Sequence, residues 1–205
     1  MVKDPRLAGL YVLTDERLGE HLATAVDAAL SGGARLVQYR DKGTDGARRE
    51  AEGRMLRELT RRHDAVLIVN DDPALAAYIG ADGVHLGRED PDVAAARSVL
   101  GTRAIIGVSC YDSLDLGREA VSAGADYVAF GSVYLSPTKP DAVRAPLELF
   151  AAAKRALAVP VCAIGGITPA NAGPVLAAGA DMLAVVASVF SAPDIKRAAQ
   201  AFGLS

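Results

Sequence analysis

Apolar residues recur along the chain in eight short runs separated by more polar stretches. The runs are apolar almost throughout and do not alternate with polar residues, which is the pattern of parallel strands covered by helices. They therefore predict buried, parallel strands. The predicted strands are residues 10–14, 35–41, 65–70, 83–87, 104–110, 127–133, 159–166 and 182–188.

Stretches rich in Ala, Leu, Arg and Glu lie between the apolar runs, and residues 45–63 and 91–100 are two examples. Their composition and the spacing of their apolar positions predict helices. Strand therefore alternates with helix from one end of the chain to the other.

A short motif that begins with Gly-Ala occurs four times, each time between a predicted helix and the second, fourth, sixth or eighth strand. Its glycine suits the left-handed cap at the end of a helix. A repeat at every second strand-helix unit is expected of a closed barrel built from repeated pairs, and less so of an open sheet. We predict an α/β fold, a single (β/α)8 TIM barrel that forms one domain over residues 1–205. The four copies are Gly33-Ala34-Arg35, Gly80-Ala81-Asp82, Gly124-Ala125-Asp126 and Gly179-Ala180-Asp181.

The charge balance excludes one class of partner. The chain has 22 Lys and Arg against 25 Asp and Glu, a net charge of -3, so it lacks the broad positive field that nucleic acids or anionic membranes attract. No apolar stretch suits a signal peptide or a membrane span. We expect a soluble, cytoplasmic protein, with Cys110 and Cys162 as reduced thiols because each lies in an apolar segment.

Active sites of such barrels lie at the carboxyl ends of the strands, so polar residues there are the candidates. After the second strand, the side-chain period of two places Gln38, Arg40 and Lys42 on one face. The two cations suit an anion, although solvation or pairing with Asp41 and Asp45 would also explain them. The amide of Gln38 suits a planar heterocycle, or a satisfied position in the core.

Carboxylates follow the third and fourth strands. Asp72 precedes a proline, which is typical of a helix N-cap, so Asp71 remains available for a metal or for water. Asp90 also precedes a proline, and here the pattern favours a cap. Two carboxylates on neighbouring strand ends nevertheless suit Mg²⁺. His85 lies within its strand, which favours a buried supporting role over that of a catalytic base.

The segment GSVYLSPTKP, residues 131–140, combines hydroxyls and prolines with one lysine. This composition predicts a loop over the rim of the barrel. Lys139 could hold a phosphoryl group there, and the alternative is an exposed lysine in a turn.

The segment AIGGITPANA, residues 163–172, ends the seventh strand with two glycines. Thr168 is the predicted N-cap of the next helix, with Pro169 at its first position. Together with residues 185–190 after the eighth strand, this segment favours a two-loop phosphate cradle over a plain tight turn.

These segments, in this order, resemble the thiamine-phosphate synthase family, also called thiamine-phosphate pyrophosphorylase. The resemblance implies a (β/α)8 barrel that joins hydroxymethylpyrimidine diphosphate to thiazole phosphate with Mg²⁺, forming thiamine phosphate and pyrophosphate. It covers nearly the whole chain. The matching segments are YVLTDERL, VQYRDK, VNDDPALAAYIGADGVHLGREDP, IIGVSCYD, GADYVAFGSVYLSPTKP, VCAIGGITPANA and GADMLAVVASVF.

The resemblance also implies roles for single residues, with Arg40, Ser109 and Lys139 as the catalytic set. Many family members have serine where this chain has Ala187, with Ser188 one place later; we expect binding to survive because backbone N–H groups make part of the contact. By the resemblance, Asp71 and Asp90 bind Mg²⁺; Arg40, Lys42, Asn70 and Lys139 contact the diphosphate; Gln38 and Ser109 contact the pyrimidine; Ser136 and Thr138 supply hydroxyls; and Gly166, Val186 and Ala187 hold the thiazole phosphate.

Three other functions are compatible with a phosphate-binding barrel. A thiazole tautomerase of the same superfamily needs neither diphosphate nor metal, and the SPTKP loop and the acidic residues argue against it. A phosphosugar aldolase or epimerase would use Lys42 or Lys139 as a Schiff base, or Asp71 as a base. A non-catalytic phosphate-binding barrel would bind ligand without releasing pyrophosphate. The sequence leaves the oligomeric state open, including self-association as a homo-oligomer.

Overall fold

Eight parallel strands pair in chain order and close into a barrel in the computed structural model, which describes residues 4–135 and 143–204. β1 pairs with β2 on one side and with β8 on the other. Each predicted run overlaps one strand, so the predicted (β/α)8 fold is confirmed. The strands are β1 Gly9–Leu13, β2 Ala34–Tyr39, β3 Val66–Asn70, β4 Gly83–Leu86, β5 Ile105–Tyr111, β6 Tyr127–Gly131, β7 Val161–Ile164 and β8 Met182–Val185.

Helices connect the strands, and most begin at a side chain that satisfies a free backbone N–H of the first turn. Asp72, the predicted cap, accepts a hydrogen bond from Leu75 N at 2.9 Å. No helix in the described part of the chain is both long and apolar enough to span a membrane. The helices are α1 Leu22–Ser31, α2 Gly46–Arg62, α3 Pro73–Ile79, α4 Val93–Leu100, α5 Leu114–Ser122, α6 Leu147–Ala156, α7 Ala172–Ala177, α8 Ala187–Phe190 and α9 Ile195–Gln200, with a 3-10 helix at Glu16–His21.

The core has two layers, one inside the barrel and one between the strands and the helices. Leu36, Ile68 and Met182 belong to the inner layer, while Leu56 and Phe150 belong to the outer layer. Full burial of such a side chain contributes about 1.5–3 kcal/mol. The two cysteines are free and buried, as expected from their apolar segments, and each layer contains one of them.

The repeated Gly-Ala motif forms the amino-terminal rim of the barrel. Its glycines have positive φ, for example 67° at Gly80 and 107° at Gly179, as the predicted left-handed conformation requires. In three copies the next residue is an aspartate whose carboxylate accepts a hydrogen bond from the first residues of the preceding strand. We call these the N-terminal-rim aspartates: Asp82 binds Leu67 N at 2.8 Å, Asp126 binds Ile106 N at 2.8 Å and Asp181 binds Val161 N at 2.9 Å.

Each N-terminal-rim aspartate also pairs with a cation from a helix on the outside of the barrel. Arg57 of α2 lies 2.6 Å from the Asp82 carboxylate, and Arg97 of α4 lies 2.7 Å from that of Asp126. Lys154 of α6 pairs with Asp181. The motif therefore joins two neighbouring strands and one helix at three places around this rim.

Candidate active site at the C-terminal rim

Asp71 and Asp90 meet at the carboxyl ends of β3 and β4. Asp71 has a φ of 65°, which is uncommon for a residue with a side chain, and its N–H donates to the His85 carbonyl at 2.8 Å. Its carboxylate accepts from the Lys42 ammonium at 2.5 Å. The carboxyl group of Asp90 lies close enough that each of the two aspartates shifts the pKa of the other. Two acidic groups and one cation are thus neighbours here, and the cation binds Asp71 directly.

The two carboxyl groups have pKa values displaced in opposite directions. Burial raises the pKa of Asp71, but the hydrogen bonds with Lys42 and Asp90 outweigh it, so the pKa lies below its usual range. Burial and the neighbouring Asp71 raise the pKa of Asp90, although the N–H of Gly87 acts against them. This is the behaviour of two carboxylates that share one site, where the second negative charge is disfavoured.

The donor set of this pair fits Mg²⁺, which commonly binds one or two carboxylates and completes its octahedron with water and phosphate oxygens. In residues 4–135 and 143–204, no group of three or more His, Cys, Asp or Glu side chains could hold a metal ion. A cation at Asp71 and Asp90 would therefore keep positions open for substrate.

The helix cap, the alternative to metal binding for Asp90, is wrong. The cap of α4 is Asp92, and the helix begins at Val93. Asp90 instead accepts from Gly87 N at 2.6 Å, closing the turn that follows β4. This local bond holds the Asp90 carboxylate at the strand end, where it reaches Asp71.

Gln38 lies near the end of β2, and Arg40 directly follows the strand at the mouth of the barrel. Gln38 is 2% exposed, and its Nε2 donates to the hydroxyl of Tyr11 at 2.8 Å. Arg40 is half-buried, and its backbone N–H donates to Thr14 Oγ1 at 2.9 Å, which ties the end of β2 to that of β1. Gln38 is thus a buried amide with one hydrogen bond inside the barrel.

Lys42 pairs with a residue distant in sequence and with neither of the nearby aspartates. Asp41 is occupied by Arg48 at 2.6 Å, and Asp45 caps α2. Lys42 reaches Asp71 on the neighbouring strand. A cavity of about 590 Å³ opens beside these two residues, and Asn70 also lines it.

Five polar side chains form a hydrogen-bonded chain across the inside of the barrel, which we call the interior chain. Gln38 donates to Tyr11, whose hydroxyl lies 3.1 Å from that of Tyr127. The Tyr127 hydroxyl lies 2.9 Å from His85 Nδ1, and His85 Nε2 lies 2.9 Å from Ser109 Oγ. Burial lowers the pKa of His85 to about 4, and the charge of Asp71 offsets this only in part.

The buried position of His85 agrees with its predicted supporting role, but the sequence analysis missed Tyr11 and Tyr127. A sequence signal was available, because both are tyrosines inside apolar strands, where a buried hydroxyl needs a partner. Gly107 is a second sequence signal, because a glycine inside an apolar strand leaves room for a neighbouring ring. A Cβ there would lie 2.0 Å from Tyr127 Cζ, so only glycine leaves room for this ring.

The loop after β7 departs from the predicted cap. Thr168 does not begin the helix, because α7 starts at Ala172 and residues between them form a turn. Asn171 explains the difference: its Oδ1 accepts from Thr168 N at 2.8 Å and its Nδ2 donates to the Gly166 carbonyl at 3.0 Å. The amide thereby braces the glycine loop from within.

The two loops of the predicted phosphate cradle lie next to each other, because β7 and β8 pair directly through Ile164 and Ala184. Gly166 has a φ of 62°, and Val186 directly precedes α8, which begins at Ala187. Within α8 the hydroxyl of Ser188 is buried and has no hydrogen-bond partner among the described residues.

Three predicted site residues, Ser136, Thr138 and Lys139, lie outside the described residues. The structure places the other ten at the C-terminal rim or in the barrel interior beneath it. They are Gln38, Arg40, Lys42, Asn70, Asp71, Asp90, Ser109, Gly166, Val186 and Ala187.

Comparison with known proteins gives one family. Residues 10–189 match the family model described as thiamine monophosphate synthase. The thiamine-phosphate synthase of Thioalkalivibrio sulfidiphilus is 58% identical over 191 residues, which cover 92% of this chain and 90% of that protein. The enzyme of the same name from Thiobacillus denitrificans is 57% identical, covering 93% of this chain and 91% of that protein.

The solved structures agree with the sequence comparison. The thiamine phosphate pyrophosphorylase from Pyrococcus furiosus superimposes with a TM-score of 0.89 at 37% identity, covering 98% of this chain and 96% of that one. A structure described as native KDPGal, at 17% identity and a TM-score of 0.71, covers 99% of this chain and 94% of that one and shares the fold alone. The family match spans most of the chain, and the closed barrel carries ten of the predicted site residues at its C-terminal rim or in the interior beneath it. The chain belongs to the thiamine-phosphate synthase family and is a transferase of that type.

Proposed function

We propose that the C-terminal rim joins hydroxymethylpyrimidine diphosphate to thiazole phosphate and releases pyrophosphate, with Mg²⁺ held by Asp71 and Asp90. The observation that carries this proposal is the position of these two carboxyl groups at the ends of the paired strands β3 and β4, where Lys42 binds Asp71 and Gly87 N holds Asp90. Their nearness displaces the two pKa values in opposite directions. Two facing carboxylates repel each other unless a proton or a cation lies between them. Their position at the mouth of the barrel favours a cation that is shared with substrate.

The main chemical demand of the reaction is a stable leaving group. Breaking the methylene C–O bond leaves positive charge on the pyrimidine and concentrates negative charge on the departing diphosphate. Bound Mg²⁺ would supply positive charge beside the diphosphate oxygens. Arg40 and Lys42 would bind the same oxygens, as would Lys139 from the segment outside the described residues, so no side-chain nucleophile is needed.

The two rings must also be aligned for the new bond. Gln38 and Ser109 would hold the pyrimidine above the interior chain, where both side chains are already anchored. The backbone N–H groups of Gly166, Val186 and Ala187 would hold the thiazole phosphate. The buried, unpartnered hydroxyl of Ser188 is suited to add one donor there. Fixing both partners in place makes attack by the thiazole nitrogen effectively unimolecular.

One assay tests the proposal. Purified protein receives both phosphorylated substrates with Mg²⁺ or with a chelator, and thiamine phosphate and pyrophosphate are measured together. We expect the two products in equal amounts and only with Mg²⁺. Equal turnover in chelator would remove the metal from the mechanism, and binding of both substrates without pyrophosphate release would indicate a non-catalytic barrel.

A variant extends the test to the segment outside the described residues. Lys139→Ala should lower kcat/KM on the order of 10²–10³-fold, the usual loss for one preorganised charged donor. Lys196→Ala removes an exposed lysine of α9 and is the matched control, for which we expect unchanged rates. If the two variants are equally active, Lys139 is not part of the site.

We also propose that residues 1–205 act as one catalytic domain on small molecules. The comparisons support small-molecule substrates through the family. A cytoplasmic location and self-association as a homo-oligomer both stay predictions.

A further inference from the structure

The interior chain links the two residues proposed to hold the pyrimidine, Gln38 and Ser109, although they lie on β2 and β5. Its four hydrogen bonds measure 2.8, 3.1, 2.9 and 2.9 Å, so every pair of neighbouring groups is within direct hydrogen-bond distance. The three residues between the ends are enclosed: Tyr11 is 1% exposed, Tyr127 0% and His85 9%. Water therefore has little access to these hydroxyl groups, and they must satisfy each other.

The strand register builds this chain. His85 on β4 is opposite Gly107 on β5, and Gly107 is opposite Tyr127 on β6. Because Gly107 has no side chain, the rings of His85 and Tyr127 stack across it with centroids 5.5 Å apart. The contact is thus a consequence of one glycine at one position in the barrel.

The number of donor hydrogens on its five side chains gives the interior chain a direction. Tyr11 accepts the N–H of Gln38, so the single hydrogen of Tyr11 is available for Tyr127. Tyr127 then donates its own hydrogen to Nδ1 of His85. A neutral imidazole has one N–H and one bare nitrogen, so His85 carries its hydrogen on Nε2 and donates it to Ser109. In the opposite direction Tyr11 would have to donate its hydrogen to Gln38. Gln38 would then have to turn its carbonyl oxygen towards Tyr11 in place of Nε2, because otherwise the Tyr11 hydrogen is buried without an acceptor.

We propose that the interior chain sets the hydrogen-bond polarity of the substrate pocket, with Gln38 presenting a carbonyl oxygen and Ser109 presenting a hydroxyl hydrogen. This inference rests on the proposed function and adds a reason for substrate choice. The pocket then selects a ring with a donor towards β2 and an acceptor towards β5. A 4-aminopyrimidine has this arrangement, because its exocyclic amine and its N1 lie at opposite ends of the ring. Tyr11, Tyr127 and His85 act as positioning residues.

The tautomer of His85 tests the direction without any turnover. The ring nitrogens of ¹⁵N-labelled, unliganded protein are recorded by NMR at neutral pH. The chain has three histidines, so His21→Gln and His63→Gln assign the signals of His85 by elimination. We expect a protonated Nε2 and a bare Nδ1. The opposite tautomer would overturn the proposal, while a wrong proposed function would leave this result untouched.

A variant that interrupts the interior chain tests whether this chain sets the tautomer of His85 and the affinity for the pyrimidine. Tyr127→Phe should move the His85 nitrogen signals towards the average of the two tautomers. It should raise KM for the pyrimidine diphosphate about 3- to 10-fold, the usual value of one hydrogen bond, and leave KM for thiazole phosphate unchanged. Tyr39→Phe is the control, because it removes a hydroxyl bonded to Glu52 at 2.7 Å, outside this chain. Wild-type His85 signals in Tyr127→Phe would overturn the proposal.

A second measurement needs no variant and covers the case in which Tyr127→Phe does not fold. Two non-reactive pyrimidinylmethyl diphosphate analogues, one 4-amino and one 4-oxo, compete with substrate in the wild-type protein. The 4-oxo group turns an acceptor towards the Gln38 oxygen, so we expect the 4-amino analogue to bind at least about tenfold more tightly. Equal or reversed affinities would overturn the polarity proposed here.

Discussion

The two rims of the barrel both carry aspartates beside cations, but the partners are arranged differently. At the amino-terminal rim, Asp82, Asp126 and Asp181 each accept a backbone N–H and face one cation from a helix. At the carboxyl-terminal rim, Asp71 and Asp90 are neighbours, and Lys42 pairs with Asp71. The first arrangement satisfies every charge, and the second leaves two like charges together.

This difference indicates what each rim contributes. A carboxylate with an N–H donor and a cation stabilises the connection between strands, since hydrogen bonds to charged groups are worth about 1.5–3 kcal/mol. Two facing carboxylates lower stability but retain the capacity to bind a cation. Barrel enzymes in general keep their active sites at the carboxyl-terminal face and their stabilising contacts at the other. The predictions below follow from this contrast.

The largest effect is expected at Asp71. Asp71→Asn should reduce Mg²⁺-dependent kcat/KM on the order of 10²–10³-fold, because one charged group of the leaving-group site is lost. Asparagine tolerates the φ of 65° at this position, so the backbone should be retained. Steady-state kinetics measures the loss, and circular dichroism checks the fold. A wild-type rate would show that this rim does not need the acidic pair.

The next effect concerns stability at the other rim. Asp126→Ala leaves Ile106 N–H and Arg97 without their shared acceptor, so the free energy of unfolding should fall by about 1.5–3 kcal/mol. Tm should fall by roughly 2–4 °C per kcal/mol, with kcat unchanged for the folded fraction. Urea unfolding and kinetics separate these outcomes. A large loss of kcat with unchanged Tm would contradict the division between the rims.

Asp90 should give a smaller effect of the opposite sign. Asp90→Asn removes the like charge beside Asp71, so the metal-free protein should become more stable by about 0.5–1 kcal/mol, a size typical of partly exposed charges. The same variant should lose its Mg²⁺ response. Denaturant unfolding with and without Mg²⁺ measures both. A less stable Asp90→Asn protein would mean that its carboxylate acts like those of the N-terminal rim.

The pH dependence sharpens this test. The folded pKa of Asp90 is raised, so its ionised form disfavours the fold above that pKa, and this cost disappears as the pH falls through it. The folded pKa of Asp71 is lowered, so its contribution is present above the unfolded value and is lost as the pH falls through the folded pKa. The stability difference between wild type and Asp90→Asn should therefore shrink on acidification from neutral pH to about pH 4. A constant difference would exclude a titrating pair.

The smallest effect on stability is expected for an exposed ion pair that lies at neither rim. Glu58 and Arg61 lie 3.1 Å apart on α2, with side chains 72% and 56% exposed. Glu58→Gln should change the free energy of unfolding by less than about 0.5 kcal/mol, because exposed ion pairs gain little over solvation. Denaturant unfolding provides the value. A change as large as that of Asp126→Ala would show that the groups bound to a carboxylate do not determine how much it contributes to the free energy of unfolding.

Much of the site could be predicted because it lies at strand ends. Asn70 ends an apolar run, Lys42 and Asp71 follow such runs, and a parallel barrel brings all these ends to one rim. The cap at Asp72 was also readable, since an aspartate before proline is a local signal. Asp90 has the same local signal and a different role. Its carboxylate bonds to the turn at Gly87 and leaves the cap to Asp92.

The amino-acid sequence by itself determined the order of strands and helices, the closed barrel and the set of polar residues at its mouth. These depend on hydrophobic periodicity and on turn residues, which act over a few positions. The tertiary structure alone decided that Lys42 binds Asp71, that Asp90 meets Asp71 and that Tyr11, Tyr127 and His85 connect. Each of these contacts joins different strands. Such contacts depend on the register across the barrel, and local patterns along the chain do not contain that register.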